Sequence, residues 1–112
     1  VSTSRGEGNN KPPMEFLSTG GPVIASDWGG HQNWLTPGCT WAVPGRVVPS
    51  PSARHAVEFE ISKPALKEAM LEAYTNRALT QKKAIAAEGF ARSALDWSHT
   101  AENLERHLRG TA

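Results

Sequence analysis

Hydrophobic positions in the first half of the chain form short runs separated by glycine and proline. Residues 12–17, PPMEFL, predict a short helix, because prolines suit a first helical turn and the Met, Phe and Leu supply apolar contacts. The Gly-Gly-Pro at residues 20–22 predicts the end of that helix. Residues 22–26, PVIAS, are typical of a buried parallel strand. A helix, a tight turn and a buried strand in this order predict an α/β fold.

The rest of the first half predicts short elements and connecting loops. We expect residues 1–9 to be the end of a strand that enters a loop, and residues 31–35 to form one helical turn. Residues 39–43 and 46–48 predict two short strands, interrupted by Pro and Gly. Residues 49–55, PSPSARH, predict a loop.

From Ser62 onward the pattern becomes helical. Ser62 predicts an N-cap, with Pro64 in the first turn. One face of this first helix is predicted to carry Leu66, Ala69, Met70, Ala73 and Tyr74. Asn76 is expected to end it.

Two further helices are predicted near the end of the chain. One covers residues 79–94, and its stripe of small side chains predicts close packing on a neighbour; the stripe is Ala84, Ala87, Ala91 and Ala94. Ser98 is then predicted to cap a last helix, which Gly110 ends. This helix is predicted to carry Ala101, Leu104 and Leu108.

The composition of the chain changes near residue 62, but its 112 residues are enough for only one domain. Seven of the eight Pro and eight of the ten Gly precede that point, and helix formers follow it. We therefore predict a single partial domain over residues 1–112, with a strand- and loop-rich part at 1–62 and a helical part at 63–112.

Charge and cysteine content narrow the classes of partner. A net charge of +1 gives no electrostatic reason to expect nucleic acid or an anionic membrane. No apolar run approaches the roughly 18 residues that a membrane span needs. The single Cys39 fits no disulfide or metal pattern, so the default expectation is a reducing cytoplasm.

The candidate chemistry lies between Glu7 and Glu15. The loop of residues 8–10 precedes the predicted helix, whose N-terminus presents unpaired N–H groups and a partial positive charge. Carboxylates accept hydrogen bonds from pairs of sugar or ribose hydroxyls, and backbone N–H groups between them suit a phosphate. This combination predicts a nucleotide-sugar site. On the alternative interpretation, Glu15 stabilises the positive end of the helix and Glu7 is a solvated loop acid.

The segment EGNNKPPMEFLSTGGPVIASDWGG resembles the C-terminal half of retaining glycosyltransferases of the GT-B architecture, in the family called group 1 or family four. Residues 7–8 match the acid-Gly loop of that family, and residues 15–18 stand at its "EAMA" position. Residues 21–26 are close to its Gly-x-Pro-Val-Ile-Ala strand, and residues 27–31 resemble the turn that follows. Residues 96–98 resemble the step that opens the last helix of the family.

The resemblance implies a truncated Rossmann-like half-domain with a short parallel sheet and C-terminal helices. It also implies retaining sugar transfer from a nucleoside diphosphate donor, without a metal or other cofactor. Glu7 would contact hydroxyls of the donor sugar, and Glu15 the ribose. The amides near sugar or phosphate would be those of Gly8, Asn9, Asn10 and Lys11. The Lys11 side chain would add a positive charge or, equally, be a solvated loop lysine.

Two departures from the family pattern bear on these expectations. Asn9 and Asn10 replace an aromatic residue and a glycine, although Asn tolerates left-handed backbone angles. The chain also matches only about the last quarter of such an enzyme. A second hypothesis is therefore a non-catalytic assembly module, which pairs with a separately encoded N-terminal part or with itself. A third is a relic fold without a ligand.

Other side chains give weaker signals. The four His show no metal-ligand spacing, but His31 follows Gly29 and Gly30 close to the predicted site. The Trp residues suit stacking on sugars, although burial is the commoner fate of Trp; they are Trp28, Trp34, Trp41 and Trp97.

Overall fold

The computed structural model describes residues 1–110, so Thr111 and Ala112, the end of the predicted helical part, lie outside the described residues. Over that range the chain forms a small α/β domain with two two-stranded sheets and four α-helices. In chain order the elements are α1 (Lys11–Ser18), β1 (Val23–Ser26), a 3-10 helix (Gly29–Asn33), β2 (Thr40–Val43), β3 (Gly45–Pro49), β4 (Val57–Ile61), α2 (Lys63–Thr75), α3 (Arg77–Ala94) and α4 (Trp97–Leu108).

The first sheet confirms the predicted buried parallel strand. β1 pairs in parallel with β2, in the register that places Val23 opposite Thr40, and every residue of β1 is buried. On its other edge, β1 forms hydrogen bonds with the start of the chain. The Ser2 N–H donates to the Ile24 carbonyl at 2.8 Å, and the Ser26 N–H donates to the Ser2 carbonyl at 3.0 Å.

The second sheet is an antiparallel pair, β3 with β4. β3 confirms the strand predicted at residues 46–48, whereas the sequence analysis did not predict β4. β4 has the sequence VEFEI, in which apolar and acidic residues alternate as in a strand with one buried face. Phe59, at its centre, is buried and stacks on Trp28, with ring centroids 5.4 Å apart and planes 2° from parallel. This contact joins the hairpin to the segment after β1.

Two clusters of buried side chains lie on opposite faces of β1. Val23 and Ala25 belong to the first cluster, with Leu17 of α1 and Ala87 of α3. Ile24 points into the second cluster, whose other buried members come from β2 and α2. Successive side chains of a strand point to opposite faces, so one four-residue strand contributes to both clusters.

Helix α2 begins as predicted, with the Ser62 hydroxyl accepting from the Ala65 N–H at 3.3 Å. Its predicted apolar face is only partly covered. Ala69 is buried, but Met70 and Tyr74 are exposed by 48% and 71% of their surfaces. Leu66 and Ala73 pack on the core beside Ala69, so the covered stripe is narrower than the predicted apolar face.

Helix α3 confirms the predicted small-residue stripe. Ala87 and Ala91 are buried, and α3 packs against α1. Its N-cap is Asn76, whose side-chain oxygen accepts from the Leu79 N–H at 3.1 Å.

Helix α4 starts two residues earlier than a Ser98 cap would require. It begins at Trp97, with Asp96 in the N-cap position, so the predicted cap was wrong. Gly110 has a φ of 77°, a left-handed conformation that suits the end of a helix. Among the described residues, α4 buries no side chain. No helix within residues 1–110 is long and apolar enough to cross a membrane.

Candidate functional site

The predicted site surrounds the start of α1. This helix opens at Lys11, between Glu7 and Glu15, as the motif requires. Asn10 immediately precedes it with φ 58° and ψ 75°, a left-handed conformation that Asn adopts more readily than most residues. The chain therefore turns sharply at Asn10, so that a loop leads directly into a helix.

The Asn10 side chain points toward the protein interior. Its Nδ2 donates to the Ser2 hydroxyl at 2.9 Å and lies 2.8 Å from Nε2 of His31. His31 is 1% exposed, and its Nδ1 lies 2.9 Å from the Ser26 carbonyl. A carbonyl only accepts, so Nδ1 donates to it and Nε2 accepts from Asn10. These partners define a neutral imidazole that links the loop to the end of β1.

The 3-10 helix region holds the loop backbone in place. The Gly30 N–H donates to the Glu7 carbonyl at 3.0 Å, and the Trp34 indole donates to the Asn9 carbonyl at 2.8 Å. A Cβ at Gly30 would lie 1.8 Å from the Gly8 carbonyl oxygen. This close approach requires glycine at position 30.

Two carbonyls of the loop, those of Glu7 and Asn9, accept hydrogen bonds from the 3-10 helix region. The amides of the loop have a different status. Within residues 1–110, the N–H groups of residues 8–11 donate to no other group of the protein. Pro12 and Pro13 follow and have no N–H, so they remove two of the donors that a helix N-terminus normally offers. The available donors are therefore the amides of loop residues 8–10 and the amide of Lys11, the first residue of α1.

The two predicted acids lie in different surroundings. The Glu7 carboxylate accepts a hydrogen bond from the Ser4 hydroxyl at 2.9 Å and is exposed. Glu15 is exposed on α1, beyond its first turn. A helix end acts on charges mainly within its first turn, so the position of Glu15 weakens the alternative that it stabilises the positive end of α1.

Glu15 lines a cleft of about 360 Å³ between the start of α1 and the start of α4. Three of the six predicted site residues, Asn9, Lys11 and Glu15, lie on this cleft. The full lining is Asn9, Lys11, Met14, Glu15, Leu95, Trp97 and Thr100. The other three predicted residues lie on the same loop, as described above: Glu7 bonded to Ser4, Gly8 against Gly30, and Asn10 bonded to His31.

The sequence analysis missed two features of this site. It noted that His31 is close to the loop but not that His31 bonds to Asn10, because the two residues are 21 positions apart. It did not place Trp97 on the cleft, because the resemblance at residues 96–98 concerned only the start of a helix. The available signal was a Trp immediately before a predicted helix start.

Two further features concern the alternatives. In the part of the chain that the structure describes, no three His, Cys, Asp or Glu side chains come together as metal ligands. An open apolar groove of about 480 Å³ lies on α2, away from the predicted site. Its lining is Lys63, Leu66, Lys67, Met70, Leu71 and Tyr74.

Comparisons with protein-family models, with curated proteins and with solved structures give no match to this chain.

Proposed function

We propose that this chain is the donor-binding part of a retaining glycosyltransferase and that it binds a nucleoside diphosphate sugar at the start of α1. On this proposal the α/β domain is part of a Rossmann-like half-domain of the GT-B type. The observation that carries the proposal is the shared cleft of Asn9, Lys11 and Glu15, next to loop amides that have no partner within residues 1–110.

Each group has a role that follows from its chemistry. The Glu15 carboxylate accepts hydrogen bonds from the two ribose hydroxyls. The loop amides of residues 8–11 and the Lys11 ammonium stabilise the negative charge of the diphosphate as it leaves. Glu7 accepts from hydroxyls of the donor sugar, which replace its bond to Ser4. These residues bind the donor, and none of them is assigned a proton transfer.

The resemblance around residues 7–31 supports these roles, and the structure adds a physical reason. Hydrogen bonds with His31, Trp34 and Gly30 hold the loop in one conformation. A loop that is ordered before binding loses less conformational entropy when the ligand arrives. Ordering by the protein interior therefore favours binding by the loop amides.

Calorimetric titration of the protein with nucleoside diphosphates and their sugar conjugates tests this function. We expect Glu15→Gln to weaken nucleotide binding about tenfold, because a hydrogen bond to a charged group contributes about 1.5 kcal/mol. Glu72→Gln is the matched control, since Glu72 is an exposed acid on α2. We expect it to leave the affinity unchanged.

Two results would contradict the proposal. One is the absence of binding to any member of a panel of uridine, guanosine and adenosine diphosphates and their sugars. The other is equal affinity in Glu15→Gln, Glu7→Gln and the wild-type protein. Amide chemical shifts of residues 7–15 should move on titration, and if only distant residues respond, the ligand occupies another site.

A second candidate function is that of a non-catalytic assembly module, which completes a separately encoded glycosyltransferase part. The exposed apolar side chains of α2 and α4 favour it, since large exposed apolar areas mark protein contacts; they include Met70, Leu71, Tyr74, Leu104 and Leu108. Sedimentation at several protein concentrations, with and without nucleotide, separates the two functions. A module of this kind associates without responding to nucleotide.

A further inference from the structure

Trp97 differs from the other three tryptophans in its surroundings. Trp34 and Trp41 are buried, and Trp28 is stacked on Phe59. Trp97 is 80% exposed, and its ring has no aromatic or cationic partner among the described residues. Exposure of so large an apolar ring costs free energy in water, so a flat ligand that covered it would bind favourably.

The ring is exposed at the wall of the cleft that also contains Glu15. The cleft has apolar lining from Met14 and Leu95 and polar lining from Asn9 and Thr100. Its volume of about 360 Å³ lies within the roughly 300–1,000 Å³ of small-molecule sites. A flat aromatic surface next to a carboxylate suits a ligand that carries a ring and neighbouring hydroxyls.

A nucleoside has this combination of groups. Its base presents a π-face that stacks on an indole, and its ribose presents two hydroxyls that a carboxylate accepts. We propose that the cleft is the nucleoside subsite, in which the base stacks on Trp97 and the ribose bonds to Glu15. The inference rests on the proposed function and adds to it the residue that holds the base.

Stacking is tolerant of base identity, because every base has a π-face. We therefore expect uridine, guanosine and adenosine monophosphates to bind with affinities within about tenfold of one another. Selection among bases would require hydrogen bonds to base edges. Asn9 and Thr100 are the polar residues on the cleft lining to whose side chains the proposal gives no other role.

The test compares Trp97→Leu, Trp97→Phe and wild type in calorimetric titrations with a nucleoside monophosphate and with ribose 5-phosphate. Trp97→Leu should weaken nucleoside monophosphate binding about tenfold, since stacking of a base on an aromatic side chain is worth about that factor or more. Trp97→Phe should recover most of the affinity. Ribose 5-phosphate, which has no base, should bind equally to all three proteins.

Tyr74→Leu is the matched control, because Tyr74 is 71% exposed on α2. It should bind both ligands as the wild type does. Thermal unfolding of each variant shows whether the fold is kept, and Trp97 is exposed enough that Trp97→Leu should fold normally.

Three outcomes overturn the inference. Equal nucleotide affinity in Trp97→Leu and wild type would show that the base does not stack on Trp97. A lower nucleotide affinity in Glu15→Gln would still support the proposed function in that case. Equal losses for the nucleotide and for ribose 5-phosphate show that Trp97 only supports the cleft. If wild type binds no nucleotide, the proposed function itself fails.

Discussion

The loop before α1 and the helix α4 show opposite relations between local regularity and attachment to the core. Residues 2–10 form no helix and only one isolated bridge to β1 within the described chain, yet buried His31 and Trp34 and the backbone of Gly30 hold them. Helix α4 is regular throughout, yet among residues 1–110 none of its side chains is buried. Regular backbone geometry and anchoring to the core are thus separate properties, and the candidate site combines an anchored loop with the exposed start of α4.

The largest expected effect is at Gly30, where the loop and the 3-10 helix approach most closely. In Gly30→Ala the added Cβ would lie 1.8 Å from the Gly8 oxygen and 2.7 Å from the Asn9 nitrogen. Both are backbone atoms, so the loop must move, and we expect a loss of about 3 kcal/mol in unfolding free energy. Urea denaturation measures this loss.

Gly89→Ala on α3 is the control for this substitution. A Cβ at Gly89 meets nothing within 4 Å among the described residues. Alanine is the better helix former by about 1 kcal/mol, so Gly89→Ala should stabilise the protein. If both variants change stability in the same direction, the close approach of the loop to Gly30 is not the cause.

The next largest effect is expected at His31, the buried partner of the loop. His31→Leu leaves one hydrogen of the Asn10 amide without its bond and removes one of the two bonds to the Ser26 carbonyl, which still accepts from the Trp28 N–H. We expect this to cost about 2 kcal/mol. His107→Leu, at an exposed position of α4, should change stability by less than about 0.5 kcal/mol. Denaturation curves measure the cost, and amide shifts of residues 7–11 report whether the loop has moved.

Equal denaturation midpoints for His31→Leu and wild type would show that the His31 network does not hold the loop. Unchanged loop shifts in a destabilised His31→Leu would show that His31 stabilises only the core. Either result would show that His31 does not anchor the loop, and the contrast with α4 would then lose this support.

How far the sequence predicted these two regions has a physical explanation. Prolines and glycines predicted α1 and its end, because these residues restrict or extend backbone angles locally. The apolar run at residues 22–26 predicted β1. The bond between Asn10 and His31 joins positions 21 apart and depends on how β1 and the loop pack. Spacing along the chain contains no information on such a contact, so the anchoring was not predicted.

Local patterns also explain the errors in the second half of the chain. The alternation of apolar and acidic residues in β4 is typical of a strand. The sequence analysis did not use it, because residues 57–61 lie next to the boundary that it placed at residue 62. The periodicity of α2 predicted an apolar face correctly, but periodicity does not show how wide a sheet covers that face. Met70 and Tyr74 are exposed for this reason. The six candidate site residues were chosen by resemblance, and their roles remain predictions.

A smaller effect is expected at Glu58, which anchors the loop segment through Arg5. Hydrogen bonds from Ser50 and then from Arg5 lower the pKa of the Glu58 carboxyl below its ordinary value. A lowered folded-state pKa contributes stability above the unfolded pKa of about 4.3, and this contribution is lost as pH falls through the folded value. Wild type should therefore lose more thermal stability than Glu58→Gln between about pH 5 and pH 3.

Melting temperatures of the two proteins across this pH range measure the difference. Glu58→Gln should also be the less stable protein at neutral pH, because it lacks the charged partner of Arg5. Parallel pH profiles would mean that the contact between Arg5 and Glu58 does not form in solution.

The smallest effect is expected on α4. Leu104 is 58% exposed, so Leu104→Asn should change the unfolding free energy by less than about 0.5 kcal/mol. The matched control is the same substitution at Leu17. Leu17 is buried, so Leu17→Asn must destabilise the protein. Denaturation of Leu104→Asn at two protein concentrations makes the test specific. A loss well above 0.5 kcal/mol at both concentrations would mean that α4 packs on its own chain and that the contrast with the loop is wrong. A loss that appears only at high concentration would mean that the apolar side of α4 contacts a second copy, because association stabilises in proportion to the concentration of the partner.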